Sequence, residues 1–256
     1  MTGEFSETWL GLREPADAAA RDRELVELLP GAIRVVRDLG CGTGSLGRWL
    51  APQLPVPQHW IMADRDPVLL RYASAHMPFD GVTVEAVIGD VTELTAADLA
   101  GTDLVTCSAL LDLLTEEEVG NLAAACAGSK TPALFTLSVA GEVTLDPARD
   151  EDAQVTDAFN EHQRRVTDTG RRLLGPDAPE AARAAFEKAG ATVVTRPSVW
   201  RLGPELPELT DQWLRGWVGA AREQRPDLRL DDYLQARLDE LPRASVGHVD
   251  LLAIFD

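Results

Sequence analysis

Val35-Val-Arg-Asp-Leu-Gly-Cys-Gly-Thr-Gly-Ser-Leu-Gly47 runs from an apolar β pattern into a glycine-rich turn and out into a helix-period segment. Glycines at a strand-to-helix turn let the backbone approach a ligand closely and aim amide donors at it from the helix start. Two frames overlap in this stretch. Gly42-Thr-Gly44-Ser-Leu-Gly47 is a literal G-x-G-x-x-G, the dinucleotide fingerprint, while Asp38-Leu-Gly40-Cys41-Gly42-Thr-Gly44 is D-x-G-x-G-x-G. Asp38 chooses between them. A carboxylate at the end of the first strand faces a pyrophosphate unfavourably but attracts a ligand carrying an ammonium and a sulfonium, so a sulfonium nucleoside fits better.

On either side of this stretch, apolar runs alternate with helix-period segments. The runs are 33–39, 60–63, 82–88, 103–108 and 133–139; between them 45–51, 67–75, 95–99 and 115–127 suit helices. Pro67 fits a first helical position, and Thr115-Glu-Glu-Glu118 has the capping-box spacing with carboxylates at the positive end of the helix dipole. Strand, helix, strand, helix repeated in this way implies a parallel sheet with right-handed crossovers. Beyond residue 139 the pattern changes: a polar stretch at 146–152, helical patterns around the 170–179 break, strand-like 192–195 and 199–202, a helix over 206–223, and a last strand within Val246–Phe255.

The whole chain of 256 residues carries 24 Lys+Arg against 42 Asp+Glu, a formal charge of −18. Phosphodiester backbones and anionic lipid repel such a surface, which disfavours nucleic acid and membranes and leaves a small molecule as the expected substrate. The cysteines Cys41, Cys107 and Cys126 are odd in number and lack metal-binding spacing, so neither a disulfide framework nor a metal is expected. The N-terminus is acidic and no apolar run approaches the ~18 residues of a membrane span, so a cytoplasmic protein is expected. The sequence assigns no oligomeric state.

The glycine stretch resembles motif I of the class I S-adenosylmethionine-dependent methyltransferases, and the resemblance continues in register over residues 33–139. Ile61-Met-Ala-Asp64-Arg65-Asp-Pro67 is similar to the end of the family's second strand, where an acid meets the ribose hydroxyls; Asp64 holds that position with Arg65 beside it. Val87-Ile-Gly-Asp90-Val91 resembles the third-strand Gly-Asp, whose acid reaches the adenine amino group while the next amide meets the ring. Asp103-Leu-Val-Thr-Cys107-Ser108 resembles the fourth-strand motif under the methionine moiety. The resemblance thus implies S-adenosylmethionine held by Asp38, Gly40, Cys41, Gly42, Gly44, Asp64, Arg65, Asp90, Val91 and Cys107. It also implies an α/β fold: a Rossmann-like, seven-stranded, mostly parallel sheet with an antiparallel last strand, helices on both faces and helical insertions after strands five and six. One domain is expected, with an N-terminal helical lid over 1–30, a cofactor core over 31–139 and substrate-side elaborations over 140–256.

Methyl transfer needs the acceptor aligned and, where necessary, deprotonated. The amino-methyltransferase signatures are absent after the fourth strand, so a small-molecule acceptor is expected with oxygen favoured over nitrogen. His162, in line with Val155, Phe159 and Val166 at helical spacing, and Asp112, just past the fourth strand, are the candidates for proton handling. Arg13, His162 and Trp200 are the candidates for acceptor contacts, and Arg164, Arg165, Arg171 and Arg172 form a local basic group beside Asp168. Two rivals remain: a nicotinamide-dependent reductase using Gly42, Gly44 and Gly47, and a non-catalytic binding subunit that exposes an apolar face such as Trp213/Trp217.

Overall fold

The computed structural model describes residues 6–77 and 79–256; the first residues of the expected lid, 1–5, lie outside this range. In chain order the elements are helices α1 (Glu7–Ala20) and α2 (Glu24–Glu27), strand β1 (Val35–Leu39), α3 (Ser45–Leu50), β2 (Gln58–Asp64), α4 (Pro67–His76), β3 (Val82–Ile88), β4 (Leu104–Ser108), α5 (Glu116–Ser129), β5 (Ala133–Asp146), α6 (Asp152–Gln163), α7 (Ala178–Lys188), β6 (Thr192–Pro197), β7 (Trp200–Leu202), α8 (Pro207–Gln224), α9 (Asp231–Glu240) and β8 (Arg243–Ile254). The sheet order is β3-β2-β1-β4-β5-β8-β6, with β7 paired to β8 off this path. The first five strands are parallel and β8 is antiparallel to its neighbours. The order reverses between β1 and β4, and a crevice opens beyond the carboxyl ends of strands at such a switch point.

Local signals explain most of the boundaries. Asp66 caps α4 by accepting from the amides of Val68 and Leu69, with Pro67 in the first turn. Thr115 and Glu118 close the capping box of α5 from both sides. The stretch 95–99 forms successive turns instead of the expected helix: five residues are too few to nucleate one, and Asp98 instead takes the amide and hydroxyl of Thr95. The strand-like stretches 192–195 and 199–202 form β6 and β7, separated by the buried Ser198, and with β8 they bring the sheet to eight strands against the expected seven.

Two apolar layers sandwich the sheet. One joins α5 and α7 to β4 and β5 and is centred on Phe186, whose ring lies 5.2 Å from Phe135 and 6.3 Å from Phe255. The other packs α3 and α4 against Trp60, Met62 and Leu134. Because β5 and β8 run on past the sheet edge, they support a third cluster under α1, α6, α8 and α9. Trp213 and Trp217 stack there at 5.2 Å and are buried, so this pair is core and offers no assembly surface. Among the described residues no helix is long and apolar enough to cross a membrane.

Candidate cofactor and acceptor site

Main-chain geometry holds the glycine loop open. Gly40 has φ +58, and a Cβ there would lie 2.7 Å from Leu110 Cδ2, so only glycine lets the turn pass beneath the chain leaving β4. Gly44, at φ +83, enters α3 where a side chain would meet Ala73, Met62 and Arg48. The amide of Cys41 donates to Ala63 O at 3.0 Å, and that of Gly42 donates to Asp64 Oδ2 at 2.8 Å. The ends of β1 and β2 are thereby tied together. Asp64 Oδ1 accepts from the amide of Asp66 at 2.8 Å, and each carboxylate oxygen keeps a lone pair for a further donor.

Asp38 is the least satisfied group of this end. It is 1 % exposed; Oδ1 accepts from Thr106 Oγ1 at 2.8 Å, and Oδ2 is buried with no hydrogen-bond partner. Burial pushes its pKa up to about 7, against the pull of the Thr106 bond and the Arg21 charge. Beside it, Leu39, Gly40, Ala63, Gly89, Asp90 and Val91 line a crevice between the ends of β1, β2 and β3. Asp90 is exposed at its rim and accepts from the amide and hydroxyl of Thr92 at 2.9 and 2.8 Å. Arg65 is exposed, and Cys107 is buried opposite Leu39 in the sheet, where burial drives its thiol far up. The Cys41 thiol is raised in the same way, so neither cysteine is a thiolate nucleophile.

The helix α1 roofs this end. Leu10 lies over Gly42, and Glu14 pairs with Arg48, whose Nη1 donates to Thr43 O in the loop itself. Arg21, wholly buried, donates to Ser45 Oγ at 3.2 Å, Ser108 Oγ at 3.1 Å and Thr136 Oγ1 at 3.4 Å, bridging α3, β4 and β5 near the switch point. Asp250 of β8, also buried, accepts from Leu137 N at 2.7 Å, Ser198 Oγ at 2.5 Å and Asp22 N at 2.8 Å, which anchors the residue after Arg21 and a bulge in β5 where Leu137 has φ +57.

Farther along α1, Arg13 forms a forked pair with Asp17 and lies 4.8 Å over the Trp200 ring, while Trp200 Nε1 donates to Asp17 Oδ1 at 3.0 Å. His248 of β8 stands 5.3 Å from Trp200; its Nδ1 donates to Val246 O, and burial together with the Arg13 charge holds its pKa at about 4. Asp112 lies in the turn after β4 with Oδ1 buried and unpartnered, and burial raises its pKa against the charges of Arg13 and Arg165. His162 is placed elsewhere. It ends α6 with Nε2 3.3 Å from Glu223 of α8, and Val166, expected on the same helical stripe, falls outside the helix and is exposed. The basic group also divides: Arg164 pairs with Asp177 and Arg171 with Glu118, whereas Arg165 and Arg172 have no acid partner among the described residues.

Asp38, Asp64 and the loop glycines are therefore brought together as the sequence spacing implies, and Arg13 meets Trp200. The sequence gives no local sign of Thr106, Ser108 or His248 as partners. Asp250 has one, a lone acid inside the apolar run 246–255, which burial obliges to find donors.

Residues 36–132 match the family model of a methyltransferase domain. Over 90 % of its length the chain is similar to a Bacillus halodurans protein assigned as a methyltransferase, at 15 % identity, covering 95 % of that chain with a TM-score of 0.52. The YcgJ protein of Bacillus subtilis is 15 % identical over 98 % of this chain and 100 % of its own, TM-score 0.53. Phosphoethanolamine N-methyltransferase 2 of Haemonchus contortus, solved with S-adenosylhomocysteine, is 12 % identical over 99 % of this chain and 59 % of its own, TM-score 0.50. Comparison with curated proteins finds no match.

Proposed function

We propose that this chain, whose residues 36–132 match the model of a methyltransferase domain, is an S-adenosylmethionine-dependent methyltransferase that moves the methyl group to a small-molecule acceptor, at oxygen in preference to nitrogen. The observation that carries the reading is Asp38: a buried carboxylate oxygen with no partner, at the mouth of a glycine loop, fits an ammonium and is hostile to the pyrophosphate of a dinucleotide. S-adenosylmethionine supplies, when bound, a methyl group on a sulfonium that is already electrophilic. The chain has only to bind, align and exclude water.

In this reading Asp38 takes the ammonium, with Gly40, Cys41, Gly42 and Gly44 presenting main chain and Cys107 packing beneath. Asp64 accepts from the ribose hydroxyls. Asp90, Val91 and the apolar walls of the crevice hold the adenine, with Arg65 at its edge. Residues 1–30 act as the lid, Arg21 standing where a methionine carboxylate would need a cation. Arg13 and Trp200 line the acceptor side, with His162 toward α8. Of the proton-handling candidates, Asp112 is better supported than His162, because its Oδ1 is buried, unpartnered and under the influence of Arg13. Oxygen is favoured because Cys107-Ser-Ala-Leu110 replaces the proline-aromatic signature of amino-methyltransferases.

Calorimetric titration with S-adenosylmethionine, S-adenosylhomocysteine and NADH tests the reading. Micromolar heats from both adenosyl ligands, lost in Asp38→Asn and Asp64→Ala, are expected. Heat from NADH alone would turn the assignment to a reductase, and silence from all three to a non-catalytic subunit.

A further inference from the structure

β3 is one edge of the sheet and β6 the other, and the two edges are built differently. β6 ends on Arg196-Pro197, where Arg196 reaches Glu24 at 3.5 Å and the proline brings no amide; a charge and a proline keep an edge from pairing further. β3, Val82-Thr-Val-Glu-Ala-Val-Ile88, has no lysine, arginine, proline or glycine, and its ladder to β2 runs without a register shift.

The two ends of β3 tell which main-chain groups point outward. Gln58 N donates to Gly81 O and Gly89 N donates to Asp64 O, so the odd-numbered residues face β2, while Val82, Val84, Ala86 and Ile88 turn their amides and carbonyls out. The Val82 amide is taken by Phe79 O at 2.9 Å. The rest of this row, from Val82 O to Ile88 N, meets no partner among the described residues. Apolar side chains stand bare at both ends of the row. Phe79 and Val56 flank its start, 41 % and 59 % exposed, with Val56 Cβ only 3.0 Å from where a Cβ on Gly81 would lie; Ile88 at its end is 68 % exposed.

We propose that β3 is the interface of a homodimer, pairing antiparallel with β3 of a second copy about a twofold axis at Val84. The apolar start of one strand then meets the apolar end of the other, with Ile88 against Phe79 and Val56 of the second copy. Val84 exchanges both its bonds with its own counterpart, and the Ala86 amide donates to Val82 O of the second copy. Glu85 is the one charge on β3, and a register centred on it sets two carboxylates face to face. Centred on Val84, Glu85 stands opposite the second copy's Thr83, whose Oγ1 lies 2.9 Å from the ring of its own His59. Pairing β3 to β6 of the next copy gives an open-ended chain of molecules instead, and Arg196 and Pro197 oppose it. Two copies of net charge −18 repel one another, so the association rests on main-chain bonds and apolar cover and strengthens as salt screens the charge.

Sedimentation velocity of the full chain over micromolar concentrations tests the interface. A monomer–dimer equilibrium is expected, moving toward dimer as salt rises from about 50 to 500 mM. Ala86→Pro removes an outward amide and leaves the ladder to β2 intact, so it should weaken the dimer about tenfold or more; Ile88→Lys, which adds a charge to the edge, should do the same. Val166→Lys, at an exposed apolar residue in the bridge to Arg172, should leave it unchanged. Under oxidation Val84→Cys should cross-link two copies, because Cα atoms of a bonded antiparallel pair stand about 5.5 Å apart, and Ile88→Cys, far from the axis, should not. The native thiols Cys41, Cys107 and Cys126 are buried and do not compete. A monomer at every concentration and salt, a dimer that survives both Ala86→Pro and Ile88→Lys, a dimer that weakens as salt rises, or no cross-link at Val84→Cys each overturns the proposal.

Discussion

The glycine-loop end of the sheet and the cap around Trp200 are neighbours built in opposite ways. At the cofactor end the determining residues are close in sequence: the loop follows β1 directly, and Gly42 meets Asp64 only 22 positions on. In the cap the decisive contact is remote, Trp200 to Asp17 across 183 positions. The first can be carried as a motif on any chain that makes the βαβ unit. The second exists only once α1, β7 and β8 have converged, so its chemistry belongs to this particular elaboration of the fold.

The sharpest way to break this contrast is a cross-test of the two halves. Asp38→Asn should weaken S-adenosylhomocysteine on the order of 100-fold, because the variant offers the ammonium a neutral amide in a buried site. Arg13→Gln should weaken it far less, because Arg13 reaches that end only through Asp17, which it shares with Arg21. A large loss from Arg13→Gln, measured by the same calorimetry, would show the two to be one site.

Stability offers a second comparison. Phe186→Ala in the sheet layer and Trp217→Ala in the cap should each cost about 3–5 kcal/mol in denaturant unfolding, the usual range for deleting a buried aromatic. Because β5 and β8 run through both regions, each variant should still unfold in a single transition. Two separated transitions in Trp217→Ala would make the cap an independent unit.

A smaller effect is set by pH. The ligand-free Asp38 carboxyl has its pKa raised to about 7, above its unfolded value, so the folded chain holds a proton that the unfolded chain has lost; stability falls as pH rises from the unfolded value through 7. An ammonium ligand needs the carboxylate. Its affinity should therefore rise with pH up to about 7 and then level, changing about tenfold per pH unit below that point, with proton release on binding. Arg21 and Asp64 face the same carboxyl, and in Thr106→Val, where the hydrogen bond is lost, the break should move upward. A flat profile in calorimetry from pH 5 to 8 would remove Asp38 from the ammonium site. Smallest of all, Thr115→Ala should cost about 1 kcal/mol through the lost cap and leave every ligand affinity unchanged.

The same contrast explains what the sequence disclosed. The strand and helix alternation, the glycine turn, Asp64 and both helix caps are set by near neighbours and by period, and they are readable. Residues 95–99 misled because composition alone suits a helix that is too short to form. His162 misled because the helical stripe ends at Gln163, one turn before Val166, and the ring turns toward Glu223. His248 sits inside the last strand, where β7 and Trp200 cover it, and no spacing in the chain announces that meeting.

Asp250 carries a consequence for how the molecule is made. A single carboxylate near the end of the chain receives the amide of Asp22, 228 positions earlier, and thereby fixes the end of the roof over the glycine loop. During vectorial synthesis α1 emerges well before β8, so a nascent chain can form the loop and the crevice long before it can close them. The half-made molecule is a glycine cradle open to water, and it closes only when β8 takes its place beside β5.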